Sequence, residues 1–312
     1  MKPIAYAIRS LPGGLLGRLA ARFDLRGNGA AAPRAAVLAE ARDAEVLVVS
    51  YLDRVDEELL AGLPRLRHLA SYGVGVNHLD LEACRRRRLL VTNTPGVVTE
   101  ATAEHAIALL LAVARRVVEG DRIIRRGGWT SLDPAYLLGT GLDGKVLGLV
   151  GFGRIGQAVA RRAVALGLSI VYAGPREVEF PGARRLPLDE LLAASHAVSL
   201  HVPLTPATDG LLSRERIDRM RPGAILVNTA RGQVVDDAAL AGALREGRLA
   251  GAGLDVFRDE PRVPAAYLAL ENVVLTPHLG SGTRETREAI TAMVVEEVER
   301  VARGEPPLHP VP

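Results

Sequence analysis

A two-domain α/β fold is predicted by three features of this 312-residue chain. Short apolar runs alternate with helical patterns from one end to the other, as in parallel sheets joined by crossover helices. A glycine turn, Gly151-Phe152-Gly153-Arg154-Ile155-Gly156, directly follows one apolar run and opens a helical pattern. A late helical stretch, Thr283 to Arg303, is long enough to cross back onto the first half of the chain. The expected division is therefore discontinuous: residues 1–98 and 283–312 form one domain, and residues 99–282 form the other.

The elements follow in order. Ile4–Ile8, Val46–Ser50, Leu66–Ala70 and Leu89–Thr92 read as strands, with helices near Gly14–Arg22, Asp56–Gly62 and Leu79–Arg87. Asn93-Thr94-Pro95-Gly96 is a break. One long helix is expected from Thr99 to Gly127, with Thr99 as N-cap. Its middle, Ala106 to Val113, is apolar nearly all round, which predicts burial between domains. From Lys145 a second α/β run predicts strands at Val146–Val150, Ser169–Tyr172, Ala197–Leu200, Ala224–Val227, Gly251–Leu254 and Val273–Leu275. Helices are expected at Ile155–Leu166, Leu188–Ala194, Ser213–Arg219 and Asp237–Glu246 between them. The tail Glu305-Pro306-Pro307-Leu308-His309-Pro310 is too rich in proline to extend the last helix.

Composition excludes several classes. Hydrophobic content of 48% with 24% charged residues fits a globular enzyme, not a disordered or fibrous chain. The net charge is only +3, and Lys occurs only at positions 2 and 145, so the arginine excess reads as codon bias. The basic run Arg85 to Arg88 has no interleaved aromatics and is expected to be a solvated helix end, not a nucleic-acid contact. The single cysteine, Cys84, is expected to be a half-buried structural thiol. Ile107–Ala114, the longest apolar stretch, falls far short of the roughly 20 residues of a membrane span. The start of the chain reads as a strand and not a signal peptide. No metal site and no membrane partner are expected, and the location expected is cytoplasmic.

The glycine turn carries the cofactor signal. Gly151 permits the tight turn, Gly153 lets the backbone approach a pyrophosphate, and Gly156 allows close helix–strand packing. The helix N-terminus then favours the phosphates. An acidic residue about 20 positions on normally bonds the ribose 2′-hydroxyl. Here the second strand ends Val171-Tyr172-Ala173-Gly174-Pro175-Arg176, with no carboxylate and Arg176 close by, which favours NADP. Glu177 and Glu179 keep NAD open.

Three ionisable residues follow apolar runs near the end of the chain: Arg231 in Asn228-Thr229-Ala230-Arg231-Gly232, Glu260 in Asp259-Glu260-Pro261, and His278 in Thr276-Pro277-His278-Leu279-Gly280. The carboxyl ends of strands are where a doubly wound sheet presents side chains to a ligand. A guanidinium offers a planar fork to a carboxylate. A carboxylate beside an imidazole favours the imidazolium form.

These motifs, with Thr99-Glu100-Ala101-Thr102-Ala103-Glu104-His105-Ala106 and Gly253-Leu254-Asp255-Val256-Phe257, resemble the D-isomer-specific 2-hydroxyacid dehydrogenases over nearly the whole chain. Gly127-Gly128-Trp129-Thr130-Ser131 and the ending Arg303-Gly304-Glu305-Pro306 are most similar to the glyoxylate/hydroxypyruvate reductases of that family. The resemblance implies a Rossmann dinucleotide-binding domain plus a flavodoxin-like substrate domain. It also implies a homodimer formed through the Thr99–Gly127 region, and reduction of a small 2-oxo acid by hydride transfer.

It assigns proton donation to His278, orientation of that histidine to Glu260, and carboxylate binding to Arg231. Backbone amides at Val74 and Gly75 would hold the substrate acid group, with Leu52 and Leu132 beside it. Thr102, Gly151, Gly153, Arg154, Ile155, Gly156, Gly174, Arg176, His201, Pro203, Thr229, Ala230, Asp255, His278 and Gly280 would meet the cofactor, Asp255 through the nicotinamide carboxamide. Two departures stand out. Leu132 replaces a tryptophan of those reductases, and Pro175 stands where they carry an arginine unless the alignment shifts to Arg176. Reduction of 2-ketogluconate or a phenylpyruvate-like acid remains open, as does a cofactor-sensing role like that of the corepressors sharing this fold.

Overall fold

The computed structural model describes residues 2–312. The chain forms two compact units: the stretch up to Val98 together with Gly282–Pro312, and Thr99–Ser281.

The first unit is built on β1 (Ile4–Ala7), β2 (Asp24–Gly27), β3 (Ala44–Ser50), β4 (His68–Tyr72) and β5 (Leu90–Thr92), all parallel. Their order, β2-β1-β3-β4-β5, is that of flavodoxin-like sheets. The crossovers contain a 3₁₀ turn at Leu15–Ala21 and helices α1 (Arg34–Glu40), α2 (Glu57–Ala61) and α3 (Leu81–Arg86). Asp56 and Asp80 start α2 and α3 by accepting the amides of Leu59 and Ala83.

Sequence patterning predicts neither β2 nor α1. In both, the pattern is weak because little is buried: β2 lies at the sheet edge with only Leu25 half-buried, and α1 buries Val37 alone. Cys84 is fully buried, not half. The arginine run is exposed but bonded: Arg86 pairs with Glu57 at 2.8 Å, and Arg87 donates to the Leu63 carbonyl.

The second unit opens with a correction. The single helix expected from Thr99 to Gly127 is two, α4 (Thr99–Ala114) and α5 (Val117–Arg125), because Arg116 adopts a left-handed φ of 52°. The Ala114 carbonyl is taken at 2.7 Å by the Thr140 amide, and the Arg116 guanidinium folds back onto Glu119 at 2.7 Å. Thr99 is the first helical residue, not the cap. The apolar middle of α4 is explained within this unit, where Ala103, Ala106, Leu109 and Leu110 pack with Leu147, Leu149 and Val227 of the sheet. No residue of α5 is buried.

The sheet contains β6 (Val146–Val150), β7 (Ser169–Ala173), β8 (Ala183–Arg185), β9 (Ala197–Leu200), β10 (Ile225–Asn228), β11 (Gly251–Leu254) and β12 (Val273–Leu275). All are parallel, in the order β12-β11-β10-β9-β6-β7-β8. With both faces covered, the inner strands are near-continuous apolar runs. One face is covered by α4 and α6 (Arg154–Ala165); the other core contains residues of α7 (Leu188–Ala194), α8 (Arg214–Arg219) and α9 (Asp237–Arg245). A short α10 (Ala265–Leu268) precedes β12. The edge strand β8, Ala-Arg-Arg, is not predicted because its sequence carries no strand pattern.

The chain then returns to the first unit as α11 (Arg284–Ala302), capped by Thr283, whose Oγ1 accepts the Thr286 amide. Ile290, Val294, Val295 and Val298 pack with Leu16, Leu19 and Tyr72. The proline-rich tail is pinned by the Val311 amide on the Val91 carbonyl and by buried Glu297, which accepts from His309 and Leu308.

In the second unit strand order reverses between β6 and β9, the point at which open sheets of this kind bind ligands. The residues that follow those two strands, Gly151 and His201, are so close that a Cβ on Gly151 would lie 2.5 Å from the His201 carbonyl oxygen.

Candidate active site

Three strand exits of the second unit bring the ionisable trio together. β10 leads into Arg231, β11 into the loop bearing Glu260, and β12 into His278. The β10 turn is held by Asn228, whose amide nitrogen donates to the Arg231 carbonyl at 2.9 Å and whose side-chain oxygen accepts the Ala230 amide at 3.0 Å. Gly232 allows the next loop to pass over it, since a Cβ there would sit 2.1 Å from the Phe257 carbonyl carbon. The Arg231 guanidinium donates to the Ala230 carbonyl at 2.7 Å.

Glu260 bridges the Phe257 amide at 3.0 Å and His278 Nδ1 at 2.7 Å. Burial alone would raise its carboxyl. The hydrogen bonds from His278 and Phe257, with the charges of His278 and Arg231, outweigh that and hold it below its usual value. A guanidinium, a carboxylate and an imidazole thus share one site.

His278 has a left-handed φ of 54°, an uncommon conformation for a residue with a Cβ. Asp255 supports it. Its carbonyl accepts the His278 amide at 2.8 Å. Its carboxylate, only 1% exposed, accepts from Thr276 Oγ1 and the Leu279 amide at 2.6 Å each and from the Gly280 amide at 2.8 Å. His105 Nε2, from α4, lies 3.2 Å from the same carboxylate and 3.0 Å from Thr276 Oγ1. Burial opposes ionisation of Asp255, but bonds from His105, Thr276 and the Leu279 amide keep it below its usual value. Sequence reasoning makes Asp255 a cofactor contact and gives His105 no role. The contact that links them runs between α4 and the end of β11, which spacing in the chain does not reveal.

The other cofactor candidates cluster along the same carboxyl edge. Gly151 follows β6 with φ 93°, and a Cβ on Gly156 would be 2.3 Å from the Gly151 carbonyl oxygen. Gly153 is different: it caps α6, has an ordinary φ of −75°, and a Cβ on it would meet no atom within 4 Å. That opening, at the helix N-terminus begun by Arg154 and Ile155, fits a pyrophosphate. Thr229 Oγ1 is buried and makes no hydrogen bond, a second sign that the site suits a polar ligand. Thr102 lies against Gly280, whose Cβ would come within 3.5 Å of it. Pro203 and His201 follow β9. Burial lowers the His201 imidazole to about 4, and its Nε2 is 2.9 Å from Ser199 Oγ, so it is a neutral ring. Gly174 and Arg176 follow β7, with Arg176 exposed. Arg185, which sequence reasoning does not single out, donates to the Gly174 carbonyl from Nε and Nη2 at 3.1 and 2.8 Å.

Leu52, Val74 and Gly75 belong to the first unit, at the carboxyl ends of β3 and β4. Arg9 and Asp53 pair there, and Asp53 also accepts the Ser50 amide at 2.7 Å. The turn after β4 is fixed by the Gly73 amide on Thr94 Oγ1 and by Asn93 Nδ2 on the Val74 carbonyl. Leu132 lies in the stretch after α5 and is 87% exposed. Among the described residues no group of His, Cys, Asp and Glu could hold a metal, and no helix is long and apolar enough to cross a membrane.

Residues 107–280 match the family model described as D-isomer specific 2-hydroxyacid dehydrogenase, NAD binding domain. The glyoxylate reductase of Thermococcus litoralis is 44% identical over 98% of this chain and 96% of its own, and that of Pyrococcus furiosus 45% identical over 98% and 94%. Among solved structures, a Thermus thermophilus protein superposes with a TM-score of 0.94 at 48% identity, covering 99% of each chain. The NADPH-dependent glyoxylate/hydroxypyruvate reductase of Sinorhizobium meliloti, in complex with NADP and malonate, superposes with a TM-score of 0.90 at 35% identity, covering 100% of this chain and 97% of that one.

Proposed function

The chain belongs to the D-isomer-specific 2-hydroxyacid dehydrogenases, and from that premise we propose that it reduces glyoxylate to glycolate, or hydroxypyruvate to the D-2-hydroxy acid, with NADPH. It is an NAD(P)-dependent oxidoreductase acting on a small 2-oxo acid. The bound nicotinamide would supply the hydride. His278 delivers the proton to the carbonyl oxygen from Nε2, because Nδ1 is engaged by Glu260. Glu260, ionised, engages Nδ1 and fixes the ring. Arg231 grips the substrate carboxylate. Gly153 makes room for the pyrophosphate, and Asp255 orients the nicotinamide end while bracing the His278 loop.

The observation that carries this reading is the His278–Glu260 contact of 2.7 Å beside Arg231, at the carboxyl edge that also bears the glycine turn. Oxidation of NADPH followed on addition of glyoxylate, hydroxypyruvate, 2-ketogluconate and phenylpyruvate tests it. The highest kcat/KM is expected with one of the first two. No oxidation with any 2-oxo acid would remove the activity.

The protein is proposed to act as a homodimer. Val117, Ile124, Trp129 and Leu138, on and just after α5, are each more than half exposed. Exposed apolar side chains concentrated in this segment suit a second copy of the chain.

A further inference from the structure

The geometry points to Arg185 as the cation that selects a dinucleotide carrying a 2′-phosphate. This rests on the dinucleotide-binding reading above and goes one residue further. In doubly wound sheets the adenosine ribose lies at the carboxyl end of the second strand of the fingerprint unit, where NAD-binding proteins place a carboxylate. Here that strand is β7, and it continues Ala173-Gly174-Pro175-Arg176 without an acid.

β8 runs parallel beside it, with Arg185 in register with Tyr172. From that position Arg185 reaches past the strand end. Its Nε and one N–H of Nη2 donate to the Gly174 carbonyl at 3.1 and 2.8 Å. A guanidinium has five N–H donors in a fixed fork, so this anchor uses only part of its capacity. Gly174 faces the glycine turn, since a Cβ on it would lie 3.8 Å from the Phe152 amide nitrogen. Cation, strand end and turn therefore form one site.

An exposed arginine ordinarily sweeps through solvent, and ordering it on a ligand costs side-chain entropy. Arg185 is exposed yet already held by two bonds, so that cost is reduced. Arg176 adds a second positive charge from the same loop. Glu177 and Glu179 line a hollow of about 480 Å³ with Arg184 and Arg185. No ion pair among the described residues joins either acid to Arg185, so its charge is not spent on them.

The test is calorimetric titration of the purified protein with NADPH and NADH, and with adenosine 2′,5′-bisphosphate and 5′-AMP as truncated probes. Removing a charge-assisted contact in Arg185→Ala is expected to weaken NADPH and the bisphosphate about tenfold. NADH and 5′-AMP should stay within about twofold. Arg185→Gln retains a donor for the Gly174 carbonyl but no charge, and should show the same selective loss, while Arg185→Lys should recover part of it. Equal losses for NADPH and NADH would make Arg185 a brace for the loop and overturn the proposal. Unchanged NADPH binding in Arg185→Ala, with an unchanged melting temperature, would overturn it as well. A wild-type protein that binds neither dinucleotide would sink the underlying cofactor reading instead, so the two failures are distinct.

Discussion

Glu260 gives one carboxylate oxygen to His278 Nδ1 at 2.7 Å and the other to the Phe257 amide at 3.0 Å. The imidazole is thus tied to the backbone that follows β11 through the Glu260 side chain, and ring orientation depends on that carboxylate staying ionised. Glu260 is held below its usual 4.5 in the folded protein. A depressed carboxyl contributes stability that is fully present above the unfolded value and is lost as pH falls through the folded one. The stability advantage of wild type over Glu260→Gln is therefore expected to shrink as pH falls below about 4.5. Urea midpoints for both proteins across that range check it. A difference independent of pH would show that the pair is not ionic in the folded state.

Kinetics separate the proposed roles of His278 and Arg231. His278→Gln should keep NADPH binding while turnover falls by about 10²-fold or more, the usual contribution of a positioned acid. Arg231→Ala should raise KM for glyoxylate and lower kcat together, because the guanidinium holds the carboxylate in the ground state and stabilises the polarised carbonyl more strongly in the transition state. Wild-type turnover in the first variant would remove the proton-donor role. Unchanged kinetics in the second would remove Arg231 from the substrate.

Asp255 is expected to matter for stability as well as activity. Its buried carboxylate accepts from Thr276 and from the Leu279 and Gly280 amides. Asp255→Asn turns an NH₂ group toward one set of these donors, at a cost of about 1–3 kcal/mol. Since the Leu279 and Gly280 amides just after His278 hang on that carboxylate, kcat should fall in the same variant. Denaturant unfolding measured alongside turnover checks both. Full activity with lost stability would confine Asp255 to a structural role.

What is legible in the sequence follows from what strand ends show. Arg231, Glu260 and His278 each announce themselves by following an apolar run, and the glycine turn by its position behind one. These are local patterns, and the trio meets where each strand exits. The residues that support them are not local. His105 reaches Asp255 across 150 positions of chain, and Arg185 acts from an edge strand whose sequence has no strand signal. The break at Arg116 is equally hidden, because a helical pattern resumes at Val117 and the helix ends only where Thr140 takes the Ala114 carbonyl. Periodicity reports burial along one element. It does not report which other element provides the partner.

The glycines of the turn give the sharpest separation of folding from binding. Gly151 adopts φ 93°, and a Cβ on it would lie 2.5 Å from the His201 carbonyl oxygen, so Gly151→Ala should destabilise the fold by about 1–3 kcal/mol. Gly153 has φ −75° and open space where its Cβ would go. Gly153→Ala should therefore leave stability within about 0.5 kcal/mol of wild type. Yet the methyl group would stand where the helix N-terminus receives the pyrophosphate, and NADPH affinity should fall by about tenfold or more. Melting curves and calorimetric titration of the two variants check the contrast. If Gly153→Ala bound the dinucleotide as tightly as wild type, the space above Gly153 would not be where the phosphates lie.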